Sequence, residues 1–134
     1  MNLIALRRAA RLSEEVGHCF VATANPAGWP HVVTAGRFGL THQAHLTVTE
    51  WFCPGTMLNL QSNPRVAVVV WDPTTDAGYQ LLGELEGMRD TAILDGYADG
   101  NGAESPLPQE ERQLLIHVDR IIEFRRAPHA DIEQ

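Results

Sequence analysis

The chain has 134 residues, 44% of them hydrophobic, with a mean hydropathy of −0.17, which fits one soluble globular domain spanning 1–134 and argues against a disordered chain. Seventeen acidic residues against ten basic ones give a net charge of −7. That balance argues against general nucleic-acid or anionic-membrane binding, which needs basic surface to neutralise phosphate. Arg7, Arg8 and Arg11 are read as the solvated face of a helix. No run approaches the ~18 apolar residues of a membrane span, and the start lacks the apolar core and small-residue cleavage site of a secretory signal. The expected compartment is therefore the cytoplasm. Cys19 and Cys53 have no CxxC spacing and are expected as reduced thiols.

Residues 3–16 place Leu3, Leu6, Ala9, Ala10, Leu12 and Val16 among Arg and Glu, the spacing of an amphipathic helix that Gly17 ends. Residues 19–23 predict a strand, and Asn25-Pro26-Ala27-Gly28 a turn. Residues 31–40 form the return strand, so 18–40 is read as a hairpin. A polar turn at 41–44 leads into a β-branched strand at 45–49. Pro54-Gly55 breaks the chain, Thr56 caps a helix that runs to Asn63, and Pro64 stops it. Residues 66–71 form an apolar run suited to a buried strand.

After a loop at 72–78, residues 79–88 predict a strand with Tyr79, Leu81, Gly83 and Leu85 on one face. Gly83 and Gly87 suggest bulges or close backbone approach. Asp90 or Thr91 caps a short helix to Tyr97, and the Gly- and Pro-rich residues 99–108 are expected as a mobile loop. The last strand, 114–124, alternates, with Leu114, Ile116, Val118, Ile122 and Phe124 sharing one parity. A polar tail follows. Six strands with few helices predict a mainly β (α+β) fold, a small antiparallel barrel with short flanking helices.

Phosphate-loop, dinucleotide and HExxH signatures are absent. Residues 95–106 superficially resemble a calcium loop. Tyr97 stands where an oxygen ligand belongs and Pro106 replaces the closing Glu, so the loop is rejected. His31, His42 and His45 could converge as metal ligands, but turn and strand-surface histidines are the commoner explanation, and no metal set is assigned. His18 and Cys19 are adjacent in a strand and point to opposite faces, against a nucleophilic pair. Trp51 and Trp71 bracket the short helix and could wall a cleft for a planar ligand, with core or dimer-interface packing as the alternative. The start of that helix, facing the Thr-rich strand with Thr47, Thr49 and Thr56, is a ready anion site because its first N–H groups lack intrahelical partners.

Taken in order, CFVATANPAGWPHVV (19–33), HLTVTEWFCPGTMLNLQSNPRVAVVVWD (45–72), YQLLGELEG (79–87) and ERQLLIHVDRIIEF (111–124) resemble the pyridoxamine-phosphate-oxidase-like family of FMN-binding split barrels. The resemblance covers roughly residues 6–124 and centres on T-x-x-N-L-x-x-N-P-R-V. It implies a six-stranded antiparallel split β-barrel, a homodimer with FMN at the subunit interface, and oxidoreductase chemistry on an unknown small substrate. It places Thr34 and Ala35 along the flavin. Thr47, Val48 and Thr49 lie beside the ring and ribityl chain, and Thr56 and Met57 at the phosphate. Gln80 is a further contact, and Trp71 reaches the partner's flavin.

Many relatives carry Lys or Arg just before the Thr, where this chain has Gly55. That change removes a charge-assisted bond worth roughly 1.5–3 kcal/mol, with Arg37 as the candidate to compensate. No acid or base is assigned as catalytic. The family also includes haem and deazaflavin binders and members without a tight flavin, so a non-catalytic carrier or sensor, or a cofactor-free barrel, stays open.

Overall fold

The computed structural model describes residues 1–42, 44–51, 53–93, 110–125 and 131–134. Helix α1 runs over Leu3–Val16, as its apolar spacing predicts. Asn2 caps it, its Oδ1 accepting the N–H of Ile4 at 2.9 Å and of Ala5 at 3.2 Å. Gly17 closes it in the left-handed region, φ 91°, donating its N–H to Ser13 O. Ala5, Leu6, Ala9 and Ser13 form its buried stripe.

The strands are β1 Cys19–Ala24, β2 Pro30–Ala35, β3 Phe38–Leu40, β4 His45–Trp51, β5 Arg65–Asp72, β6 Ala77–Ile93, β7 Glu110–Phe124 and β8 Ile132–Glu133. They form one antiparallel sheet in the order β2-β1-β5-β6-β7-β4-β3, with β8 on β7. The predicted turn joins β1 to β2, with Asn25 Oδ1 accepting the N–H of Ala27 and Trp29, and Gly28 at φ 87°.

The return strand expected over 31–40 is two strands. The chain leaves β2 at Gly36-Arg37 and crosses to the far end of the sheet order as β3. There Gly36 N–H donates to Thr49 O and Thr49 N–H to Arg37 O, so the two outer strands join and the sheet closes into the split barrel. With β3 counted separately and two residues of the tail pairing as β8, the strands among the described residues number eight, against the six expected.

The barrel interior is filled by Val21, Phe38, Leu46, Val48, Val68, Val70, Leu81, Leu114, Ile116 and Ile121, with Leu6 of α1 packed on it. On β7 the predicted single parity holds only to Val118. Gly83 pairs with Val118 and Leu82 with Arg120, which leaves Asp119 as an extra residue in a bulge. The bulge turns Ile121 inward, fully buried, in place of the expected Ile122. Gly83 is the required partner: a Cβ there would lie 2.0 Å from His117 O.

The helix expected from Asp90 or Thr91 is replaced by β6, which continues to Ile93 and pairs with β7 to Glu110. The rest of that helix from residue 94, the 99–108 loop and the rejected calcium loop at 95–106 lie outside the described residues. Among the described residues no helix is long and apolar enough to cross a membrane.

Candidate cofactor site

Helix α2 spans Pro54–Ser62. Its start differs from the sequence expectation. Proline fixes φ near the helical value and needs no hydrogen bond at the first helical position, so Pro54 opens the helix instead of breaking the chain. Cys53 is then the N-cap, and Thr56 lies inside the first turn. Asn63 is the C-cap, and Pro64 follows. Asn59 Nδ2 donates to Thr23 Oγ1 at 3.0 Å, a buried pair that fastens α2 to the inner face of β1.

Thr56 is fully buried, and its Oγ1 lies 3.4 Å from His31 Nδ1. His31 faces Thr23 across β1 and β2, on the inner side of the barrel. Its ring also covers Gly55, where an added Cβ would meet Nε2 at 3.2 Å. The position without the expected cation therefore has an imidazole beside it. The signal for His31 was its shared parity with Val33 and Ala35 in β2. Arg37 is engaged elsewhere, with its guanidinium 3.5 Å from Glu14 of α1.

Burial acts to raise the pKa of the Cys53 thiol. The N–H and hydroxyl of Thr56 and the N–H of Gly55, aimed at the sulphur, outweigh it, and the net shift is downward. No side-chain hydrogen bond of full cap geometry forms, so the attraction is that of nearby helix-start dipoles. Cys19, fully buried in the core, is pushed up to about 12 by burial.

The remaining predicted contacts divide by strand face. Ala35 and Val48 point inward and are buried, so only their backbone is open to a ligand. Met57 is half-buried against the core. Thr49 Oγ1 donates to Arg37 O at 3.1 Å, fixing β4 to the β2–β3 crossing. Thr47 lies two residues before it on the same outer face.

Thr34 and Gln80 share one cross-strand row on the outer face, which reads Thr34, Phe20, Val69, Gln80, Ile122 from β2 to β7. The next such row is Val32, Ala22, Ala67, Leu82, Arg120. These rows make an apolar outer wall, with Val32 60% exposed. Trp71, at the end of this wall, donates from Nε1 to Asp76 Oδ1 at 3.0 Å. The side chain of Trp51 lies outside the described residues, so the Trp51–Trp71 cleft is not defined. Thr47 and Gln80 do not meet within one chain. Their β7 partners are Leu115 and Ile122, roughly 20 Å apart at about 3.3 Å per residue.

His31 is also separate from His42 and His45. His42 and His45 lie at the start of β4, where His45 pairs with His117 of β7. Among the described residues no group of three or more His, Cys, Asp or Glu is preassembled around an ion.

The family model described as pyridoxamine 5'-phosphate oxidase matches residues 7–124. No curated protein matches the chain. Among solved structures, one similar fold is a protein related to general stress protein 26 of B. subtilis, of the pyridoxinephosphate oxidase family, from Clostridium acetobutylicum. It has 17% identity and a TM-score of 0.66, covering 99% of this chain and 96% of that one. A pyridoxamine 5'-phosphate oxidase-related FMN-binding protein from Nostoc punctiforme has 15% identity and a TM-score of 0.62, with 93% and 85% covered. An F420 reductase has 19% identity and a TM-score of 0.57, with 78% and 88% covered. At these identities the solved structures establish the split-barrel fold alone.

Proposed function

This chain belongs to the pyridoxamine 5'-phosphate oxidase family, and from that premise we propose that it is a homodimer that binds FMN between its two copies and acts as an oxidoreductase on a small substrate. The observation that carries this reading is the apolar outer wall. An antiparallel sheet normally leaves one face to solvent, whereas here the outer rows carry Val32, Phe20, Val69 and Leu82 beside a filled interior. A second copy on this wall would cover it. Thr47 and Gln80 do not meet within one chain, so a single FMN touching both would have to lie between two copies.

The donor set at the start of α2 fits a phosphate. Gly55 and Thr56 have N–H groups without intrahelical acceptors, the helix dipole favours an anion, and His31 adds an imidazole. Because the Thr56 hydroxyl is buried against His31, His31 is the side chain that would meet the phosphate, while Thr56 positions it. Phe20 and Val69 offer apolar surface for the ring, and the FMN itself supplies the redox chemistry when bound. The row from Thr34 to Ile122 contains no ionisable side chain. That favours, as a second reading, a flavin carrier or sensor that orients the cofactor without acid–base catalysis.

The test pairs flavin titration with sedimentation. The expected outcome is a dimer that retains FMN through desalting and binds riboflavin at least tenfold more weakly. Leu82→Glu should yield a folded monomer that loses FMN. Thr56→Ala should weaken FMN and leave riboflavin unchanged. A wild-type monomer with no flavin retention would refute the reading, and equal affinity for FMN and riboflavin would refute the phosphate site. NADH- or NADPH-driven turnover with candidate acceptors separates the oxidoreductase from the carrier.

A further inference from the structure

A second constellation lies away from α2, at the other end of the sheet from β1 and β2. His45 begins β4 and pairs with His117 of β7; their ring centroids are 5.0 Å apart. The His42 ring is 5.2 Å from that of His45. Each strand histidine is held by a carboxylate. His45 Nε2 lies 2.8 Å from Glu86 Oε1, and His117 Nδ1 lies 3.1 Å from Asp119 Oδ1. A carboxylate at one ring nitrogen fixes the proton there and leaves the other nitrogen as a lone pair, the usual outer-shell pattern of metal-ligating histidine. The other nitrogen of His45, Nδ1, is buried and has no hydrogen-bond partner. A buried polar atom without a partner needs an explanation.

The strand irregularities of β6 and β7 serve this cluster. Leu85 pairs with Ile116 and Gly87 with Leu115, which leaves Glu86 as the extra residue of one bulge, while Asp119 is the extra residue of the other. Both carboxylates thus occupy bulge positions on either side of His117, where a bulge re-aims a side chain that regular pairing would direct elsewhere. The turn that carries His42 and His45 is tied to the same place. His45 N–H donates to His42 O at 3.0 Å, and Val118 N–H donates to Ala44 O at 2.8 Å.

We propose that His42, His45 and His117 form a binding site for a divalent transition metal of the zinc class, with Glu86 and Asp119 as its outer-shell supports. Imidazole nitrogens about 2.0–2.1 Å from a tetrahedral zinc place neighbouring ring centroids about 5 Å apart, the spacing of both ring pairs here. The three nitrogens are not yet gathered around one point, and rotation of the exposed His42 ring completes the set. Three neutral imidazoles suit zinc, nickel or copper and disfavour magnesium and calcium. The fourth position is left to water or a small anion.

The test is calorimetric titration of the untagged, EDTA-treated full chain with zinc sulfate, with cobalt(II) absorption as the readout of coordination. The expected result is one ion per chain with a micromolar or tighter Kd and the visible bands of four-coordinate cobalt. Affinity should fall at least about 100-fold in His45→Ala and His117→Ala, and about 10- to 100-fold in Glu86→Gln, which keeps the size of the side chain. Magnesium should not compete.

Circular dichroism checks that each variant is folded; if His45→Ala is not, His42→Ala and Glu86→Gln decide the matter. Binding weaker than about 100 μM would overturn the proposal. So would binding that survives these substitutions unchanged, which would mark an adventitious ion elsewhere. The result is independent of flavin, since zinc is titrated in its absence.

Discussion

Gly83 is the position where one added methyl group should do most damage. A Cβ there would lie 2.0 Å from His117 O, 2.9 Å from His117 C and 3.1 Å from Val118 Cα, all backbone atoms of the paired strand. A flexible side chain could swing away, but this backbone is held by the β6–β7 ladder and by Val118 N–H to Ala44 O. Overpacking in a well-packed site costs about 1–3 kcal/mol and more where the neighbours cannot move. The gain from a stiffer unfolded chain offsets only about 0.4–1 kcal/mol. Gly83→Ala should therefore lose about 3 kcal/mol, a fall in Tm of roughly 10 °C for a domain of this size.

The assay is thermal and urea unfolding at one fixed protein concentration, because association would shift the midpoint. Gly87→Ala is the internal control on the same strand. The nearest atom to its Cβ would be Leu115 Cβ at 4.0 Å, an ordinary contact, so its stability should change by less than about 1 kcal/mol. A Gly83→Ala variant as stable as wild type, or equal losses in both variants, would refute the close-approach argument.

Ser13→Ala should cost about 1–3 kcal/mol, because Ser13 is fully buried and its Oγ accepts the N–H of Phe38 at 2.9 Å; urea unfolding reads it. In the native protein iodoacetamide should label Cys53 and spare Cys19 until the chain unfolds, as mass spectrometry of the modified peptides would show. Cys19 also gives stability an alkaline limb. Its folded pKa, about 12, stands above its ordinary value of 9.0, so its contribution is intact below pH 9 and is lost as pH rises toward 12. The unfolded chain gives up that proton first, at up to about 1.4 kcal/mol per pH unit. Tyr79, raised by burial and then by Glu123, adds in the same direction. Cys19→Ala should flatten the loss of urea stability between pH 9 and 11 relative to wild type.

Much of the fold was legible because its signals are local. The spacing from Leu6 to Val16, the Gly17 stop, the Asn25–Gly28 turn and the 66–71 run each state their own element. What was hidden depends on partners far along the chain. The division of 31–40 into two strands follows from Gly36-Arg37 bonding to Thr49, which no short-range pattern encodes. Proline serves both as a stop and as a first helical residue, and at Pro54 only the Cys53 geometry decides between them. For these residues the sequence indicates the strand but not the face: Ala35 and Val48 alternate inward while Thr34 and Thr49 alternate outward. His31 and His117 were harder still, since each acquires its role from a cross-strand neighbour.

The bulge at Asp119 also makes the length of β7 carry information. Without the bulge, the same residues in uniform phase from Val118 would put Arg120 at the next inward position and turn Ile121 to solvent. A charged group would then enter the barrel in place of a fully buried isoleucine, although nothing in the composition had changed. Counting, as much as chemistry, keeps the second half of β7 facing the right way. Deleting Asp119 would remove the need for the bulge and keep that facing, with Arg120 beside Val118 on the outer side and Ile121 inward.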